Sequence, residues 1–294
     1  MDATELFSTI FSFDNYAELL PLVSNSIIAG ALLGLVGGLI GVFVMMRDMA
    51  FAVHGIAELS FAGAAFALLI GANVVGGSIV GSILASLVLG LMGSRAKDRN
   101  SIIGVMMPFG LGLGILFLAL YQGRSANKFG LLTGQIVAVD DVQLGLLAVC
   151  SVVVIVGLAL IWRPLTFVSV DPAVAAARGV PAGWLSAAFM VLLGLAVALS
   201  IQIVGALLVL SLLITPAAAA LKVSARPVVT VLLSVSFAMV SVVGGIMVAL
   251  AGRLPISPYV TTISFLIYVI CRVIAWQRSR VRHHRETAGV AAAN

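Results

Sequence analysis

The sequence predicts an all-α fold: a polytopic transmembrane helical bundle of eight or nine spans, N-terminus outside and C-terminus cytoplasmic. Three observations carry this reading. Of 294 residues, 62% are hydrophobic and 9% charged, whereas a water-soluble domain uses roughly 25% charged residues to cover its surface. The apolar residues arrive in runs long enough to cross about 30 Å of hydrocarbon at about 1.5 Å per residue, and mean hydropathy is +1.23. The basic residues, finally, gather between alternate runs, as residues that set membrane topology do.

The N-terminal segment 1–21 carries Asp2, Glu5, Asp14 and Glu18 and no base, the opposite of a signal peptide's positive n-region. It is expected outside, where Phe7, Phe11 and Tyr16 would suit an interfacial helix. The transmembrane domain, 22–277, contains spans at 22–46, 51–70, 74–93, 102–121, 142–162, 182–200, 201–221, 227–250 and 257–276. Only Ser200 and Gln202 interrupt the pair 182–200 and 201–221, so one of these can equally be a broken or re-entrant element, leaving eight full spans.

With nine spans and the tail inside, the cytoplasmic bases are Arg47, Arg95, Lys97, Arg99, Arg163, Arg178, Lys222, Arg226, Arg272, Arg278, Arg280, Arg282 and Arg285, thirteen of sixteen. Arg124, Lys128 and Arg253 fall outside. The reverse orientation would invert that ratio against the positive-inside bias. Spread through short loops and a tail, these bases do not line one face, which argues against a nucleic-acid partner. The tail 278–294 is expected to be basic, disordered and held near anionic lipid; His283 and His284 lie within it. Cys150 and Cys271 sit far apart in apolar runs and read as small hydrophobes.

Glycine spacing predicts tight helix packing. Gly30, Gly34, Gly37, Gly38 and Gly41 in the first span, Gly77 and Gly81 in the third, and Gly110, Gly112 and Gly114 in the fourth permit the close backbone approach by which helices associate in lipid.

Ionisable residues inside spans are expensive and mark function. Glu58 is the one acidic residue well inside a span, and His54 the one intramembrane histidine. Four residues apart, they share a helical face. An imidazole and a carboxylate so placed suit a divalent ion such as zinc or manganese; a proton relay or a structural His–Glu tie fits the spacing as well. In the loop after the fifth span, Asp171 can cap and Pro172 can open a short helix through Ala175, which Arg178, Gly179 and Pro181 bring to a stop. This helix, about 171–180, is a candidate docking element. Between Val204 and Ala217, Pro216 is expected to kink or end the helix near the cytoplasmic side, and Gln202 is the polar residue nearest that stretch. No P-loop or catalytic triad appears, so the chain is not expected to be an enzyme.

These stretches resemble the zinc/manganese-type ABC transporter permease family over nearly the whole chain, from about residue 25 to residue 276. The similarity rests on Gly41 to Phe51 followed by Ser60, Gly63 and Ala65, on Asp171-Pro172 through Gly179, and on Val204-Gly205 through Pro216-Ala217-Ala218. The resemblance implies the permease subunit of an ABC importer of manganese or zinc in the cytoplasmic membrane of a prokaryote. It further implies a second permease copy, separate ATP-binding subunits that contact Asp171–Gly179, an extracytoplasmic metal-binding protein, and no resident cofactor. The family's Asp-x-x-x-His pair stands here as His54-x-x-x-Glu58, with both ligand types kept and their order exchanged. Gln135 also occupies a position where the family often has a small or acidic residue. The alternatives are a proton-coupled secondary transporter using Glu58, an ABC permease for a metal chelate, and an assembly protein whose loop helix docks another partner.

Overall fold

The computed structural model describes residues 20–92, 96–124, 128, 130–131, 139–205, 209–251 and 256–293. After a 3₁₀ turn at Pro21–Val23, the chain forms α1 (Ser24–Met46), α2 (Ala50–Leu69), α3 (Val74–Met92), α4 (Ala96–Leu120), α5 (Asp141–Val170), α6 (Pro172–Ala177), α7 (Ala182–Val204), α8 (Val209–Leu213), α9 (Thr215–Val223), α10 (Pro227–Leu250) and α11 (Ile256–Ala293). Eight of these are long and apolar enough to cross a membrane, and a shorter apolar segment, Val209–Val223, accompanies them.

Contacts at the two ends of the bundle give the path. At one end Asn25 donates to the Asp141 carboxylate at 2.8 Å, and Leu68, Asn73, Asp140 and Ile201 line one cavity. At the other end a second cavity brings together Arg47, Leu89, Ser169 and Ser186. The Val209–Val223 segment leaves the first end after Gly205 and finishes at the second, where Arg278 reaches the Val223 carbonyl at 3.4 Å. It therefore traverses the bundle as a broken ninth element, and Ser24 and Arg278 stand at opposite ends.

Reversals between helices are made by a recurring device. Met49 donates to the Val44 carbonyl, Ala72 to that of Ala67 and Val180 to that of Ala175. Each is the six-to-one bond of a helix end that turns through one left-handed residue. Gly71 and Gly179 take that position without strain, and Asp48 takes it at φ 51°, one of the few side chains that tolerate it.

α2, α3 and α4 pack together, α1 packs chiefly on α10, and α7 lies between the two groups. α1 and α2 follow one another directly yet scarcely touch. Glycine makes the close contacts: Gly63 of α2 lies against Gly77 and Gly81 of α3, and Gly38 of α1 against the Val235 backbone of α10. Serines bind the helices across these contacts. Ser60 and Ser78 share a 2.8 Å hydrogen bond, Ser78 reaches the Ala198 carbonyl of α7 at 3.4 Å, and Ser234 donates to the Gly38 carbonyl at 2.8 Å. Cys271 is buried and Cys150 half-buried, both as free thiols.

The backbone of α11 runs on through the stretch from 278, expected to be disordered, as far as Ala293. The Arg- and Ala-rich sequence has no proline, its one glycine is Gly289, and these residues favour helix. The helix of the ninth element is interrupted at Ile214, and Pro216 stands in the first turn of α9, where its missing N–H is not needed. The expected interfacial helix in 1–21 lies, apart from its last two residues, outside the described residues.

The packing predicts contrasting glycine substitutions. Gly63→Val drives a branched side chain into the Gly77 backbone and is expected to lower stability by at least about 1–3 kcal/mol. Gly112→Ala, which meets nothing within 4 Å, is expected to be neutral or stabilising by up to about 1 kcal/mol. Thermal unfolding of the detergent-solubilised protein distinguishes them, and equal melting temperatures would refute the packing account.

Candidate functional site

α2 begins at the Arg47 end, so His54 lies about one turn and Glu58 about two turns into the span. Nε2 of His54 stands 3.6 Å from Oε1 of Glu58, beyond hydrogen-bond range. The His54 side chain is 30% exposed and that of Glu58 11%. Nδ1 of His54 is buried without a hydrogen-bond partner. The pair thus presents an imidazole nitrogen and a carboxylate oxygen side by side without spending them on each other.

α4 forms the wall over the pair. Gly110 lies so close that a methyl group on it would stand 2.9 Å from the Glu58 carbonyl carbon. One turn towards the Arg47 end, Gly55 faces Ile103 and Met107. Among the described residues no group of three or more His, Cys, Asp or Glu assembles, so one chain contributes two such ligands here. The arrangement can hold a divalent cation if other donors complete its shell, and it can pass a proton.

The loop element forms largely as its residues dictate. α6 spans Pro172–Ala177, with the Asp171 carboxylate accepting from the Val174 N–H at 3.0 Å. Ala175 is buried against Val168 and Leu185, whereas Pro172, Ala173, Val174 and Arg178 are exposed. Gly179 turns the chain away at φ 72°. One face of α6 is therefore anchored to α5 and α7 while the other is bare. This element and the His54–Glu58 pair occupy different places, the loop beyond the bundle end and the interior of α2.

Gln202 belongs to the last turn of α7, and its side chain is outside the described residues, as is Gln135. Sequence reading passed over Arg47. Its guanidinium bonds to Ser186 Oγ and lies 5.6 Å from the centre of the Phe189 ring, fastening the end of α1 to the start of α7. A lone base at a helix end is too common a feature to have singled it out. The adjoining cavity, about 580 Å³, is also lined by Asp48 and Pro172.

Residues 20–275 match the ABC 3 transport family. The chain is 30% identical over 226 residues to the manganese transport system membrane protein MntC of Halalkalibacterium halodurans, covering 76% of this chain and 77% of that one. It is 24% identical over 246 residues to the high-affinity zinc uptake system membrane protein ZnuB of Haemophilus influenzae, covering 83% and 94%. Alignments with several other curated relatives span about two thirds of their length, 65–66%. Among solved structures, PsaBC from Streptococcus pneumoniae in complex with Fab superposes with a TM-score of 0.78 at 24% identity, over 87% of this chain and 94% of that chain; that likeness establishes the fold.

Removing the Asp171 cap tests how α6 is held. Asp171→Ala strands the Val174 N–H and is expected to cost about 1 kcal/mol of local helix stability. Hydrogen exchange should accelerate across 172–177 and stay unchanged in α7. Unaltered protection of α6 would show that the cap does not hold it.

Proposed function

The chain belongs to the ABC 3 transport family, and from that membership we propose that it is the permease subunit of an ABC importer for a divalent transition metal, manganese or zinc. ATP is hydrolysed on separate partner subunits, and the metal arrives from an extracytoplasmic binding protein. The observation that carries this reading is the pair in α2: one imidazole and one carboxylate, 3.6 Å apart, inside a span with no other ionisable residue.

A carboxylate at that depth is unfavourable by roughly 2.5–3.5 kcal/mol on insertion scales. A bound cation offsets that burial and keeps the carboxylate ionised. Two ligands leave a coordination shell open, and the pair remains partly exposed at the flank of α2. A second copy of the chain, related by a two-fold axis, would both cover that flank and double the ligands.

The described bases support the orientation. Arg47, Arg163, Arg178, Lys222, Arg226 and Arg278 lie towards one end of the bundle, against Arg124 and Lys128, together with Asp140 and Asp141, at the other. The positive-inside bias makes the Arg47 end cytoplasmic, which puts α6 where an ATPase can grip its bare face. Movement of α6 would then switch access to the metal.

The test is uptake of radioactive manganese and zinc by cells expressing the complete transporter, with and without His54→Ala/Glu58→Ala. Uptake by the double variant should fall at least about 100-fold, while membrane insertion and co-purification with the ATPase persist. Wild-type uptake by a correctly inserted variant would remove the site. Uptake driven by a proton gradient in vesicles holding this chain alone would remove the ABC reading.

A further inference from the structure

α4 contains a proline, Pro108, in the middle of a span, and it stands level with the ion site. Proline brings no N–H, so the Gly104 carbonyl, four residues earlier, loses its intrahelical partner, and the ring pushes that carbonyl outward. Hydrocarbon supplies no substitute. A freed carbonyl is tolerated in a membrane only where other protein, water or an ion meets it.

Two further features concern Gly104 itself. It is exposed, and a side chain built on it would meet nothing within 4 Å, so no other described element of this chain covers it. Its height is set by Gly55, which faces Ile103 and Met107; Gly104, between those two, is level with His54. Its side of the helix follows from the register. Phe66 of α2 and Phe117 of α4 meet with ring centres 5.2 Å apart, on the flank nearer α3. At about 100° per residue, His54 and Gly104 both fall on the opposite flank of the α2–α4 pair.

Resting on the importer reading above, we propose that the main-chain carbonyl of Gly104 is an oxygen donor of the ion pathway beside His54 and Glu58, and that it tilts the site towards manganese over zinc. Each copy then offers a nitrogen and two different oxygen donors. Manganese favours oxygen-rich, octahedral surroundings, whereas zinc favours compact four-coordinate sites with nitrogen or sulfur. Carbonyls released where a membrane helix is broken are known cation ligands on physical grounds, because their dipoles replace lost water.

The deciding experiment supplies manganese and zinc in competition to the assembled transporter in vesicles, comparing wild type, Pro108→Ala and Gly104→Val. Pro108→Ala returns an N–H to the Gly104 carbonyl while making α4 a better helix; Gly104→Val shields the carbonyl and leaves Pro108 in place. Manganese uptake relative to zinc should fall about tenfold in both, with the melting temperature of Pro108→Ala at or above that of wild type. An unchanged manganese-to-zinc ratio in the variants overturns the proposal, as does an equal fall for both metals, which would mark Pro108 as a shaping kink. If one variant fails to insert, the other decides. Should wild type move neither metal, the importer reading fails, and this inference with it; a failure confined to the ratio leaves that reading standing.

Discussion

Hydrocarbon offers neither hydrogen-bond donors nor acceptors, and almost everything in this structure follows from that. Each backbone amide inside the bilayer must bond within its own helix, so the chain makes its reversals at the ends. There Asp48, Gly71 and Gly179 reverse it through left-handed turns whose returning amides satisfy the last carbonyls. With no hydrophobic force between helices in lipid, association depends on close approach and on hydrogen bonds between them. Gly63, Gly77 and Gly81 supply the first, and Ser60, Ser78 and Ser234 the second. A water-soluble core would use large interlocking side chains at those positions.

The same constraint gives meaning to the exceptions. Helix α2 is mostly buried and held on two sides by glycine contacts, so its backbone is fixed. His54 and Glu58 are therefore rigidly placed, and Gly110 brings α4 down onto Glu58. An unpartnered imidazole nitrogen in such surroundings is unfavourable unless something binds there, since a buried polar atom without a partner costs about 1–3 kcal/mol. Pro108 repeats the pattern in the backbone of the neighbouring helix. Both exceptions fall at one height in the membrane, on one flank of the α2–α4 pair, which is why they are read together.

Long apolar runs declare themselves, so the eight full spans were legible from composition alone. The boundary between 182–200 and 201–221 was not. Ser200 and Gln202 are weak punctuation, whereas the physical break comes at Gly205, whose φ of 85° only glycine adopts readily, and at Ile214. Loop helix α6 was legible because Asp171, Pro172 and Gly179 each act locally, through capping, a fixed φ and left-handed freedom. For the site, the spacing of His54 and Glu58 placed them on one face, but no sequence pattern could show that α4 passes over them. That contact joins residues about fifty positions apart and depends on which glycine of several faces which helix.

One consequence of the packing bears on how distant parts of the proposed transporter communicate. Ala175 seats α6 against Val168 of α5 and Leu185 of α7, so a displacement of α6 must move the start of α7. That start is also tied to α1 through Arg47 and Ser186. Further along, α7 accepts the Ser78 hydrogen bond, and Ser78 is in turn bonded to Ser60, two residues beyond Glu58. The connection from the bare loop helix to the His54–Glu58 pair thus needs no long-range field: it consists of one close-packed helix and two hydrogen bonds.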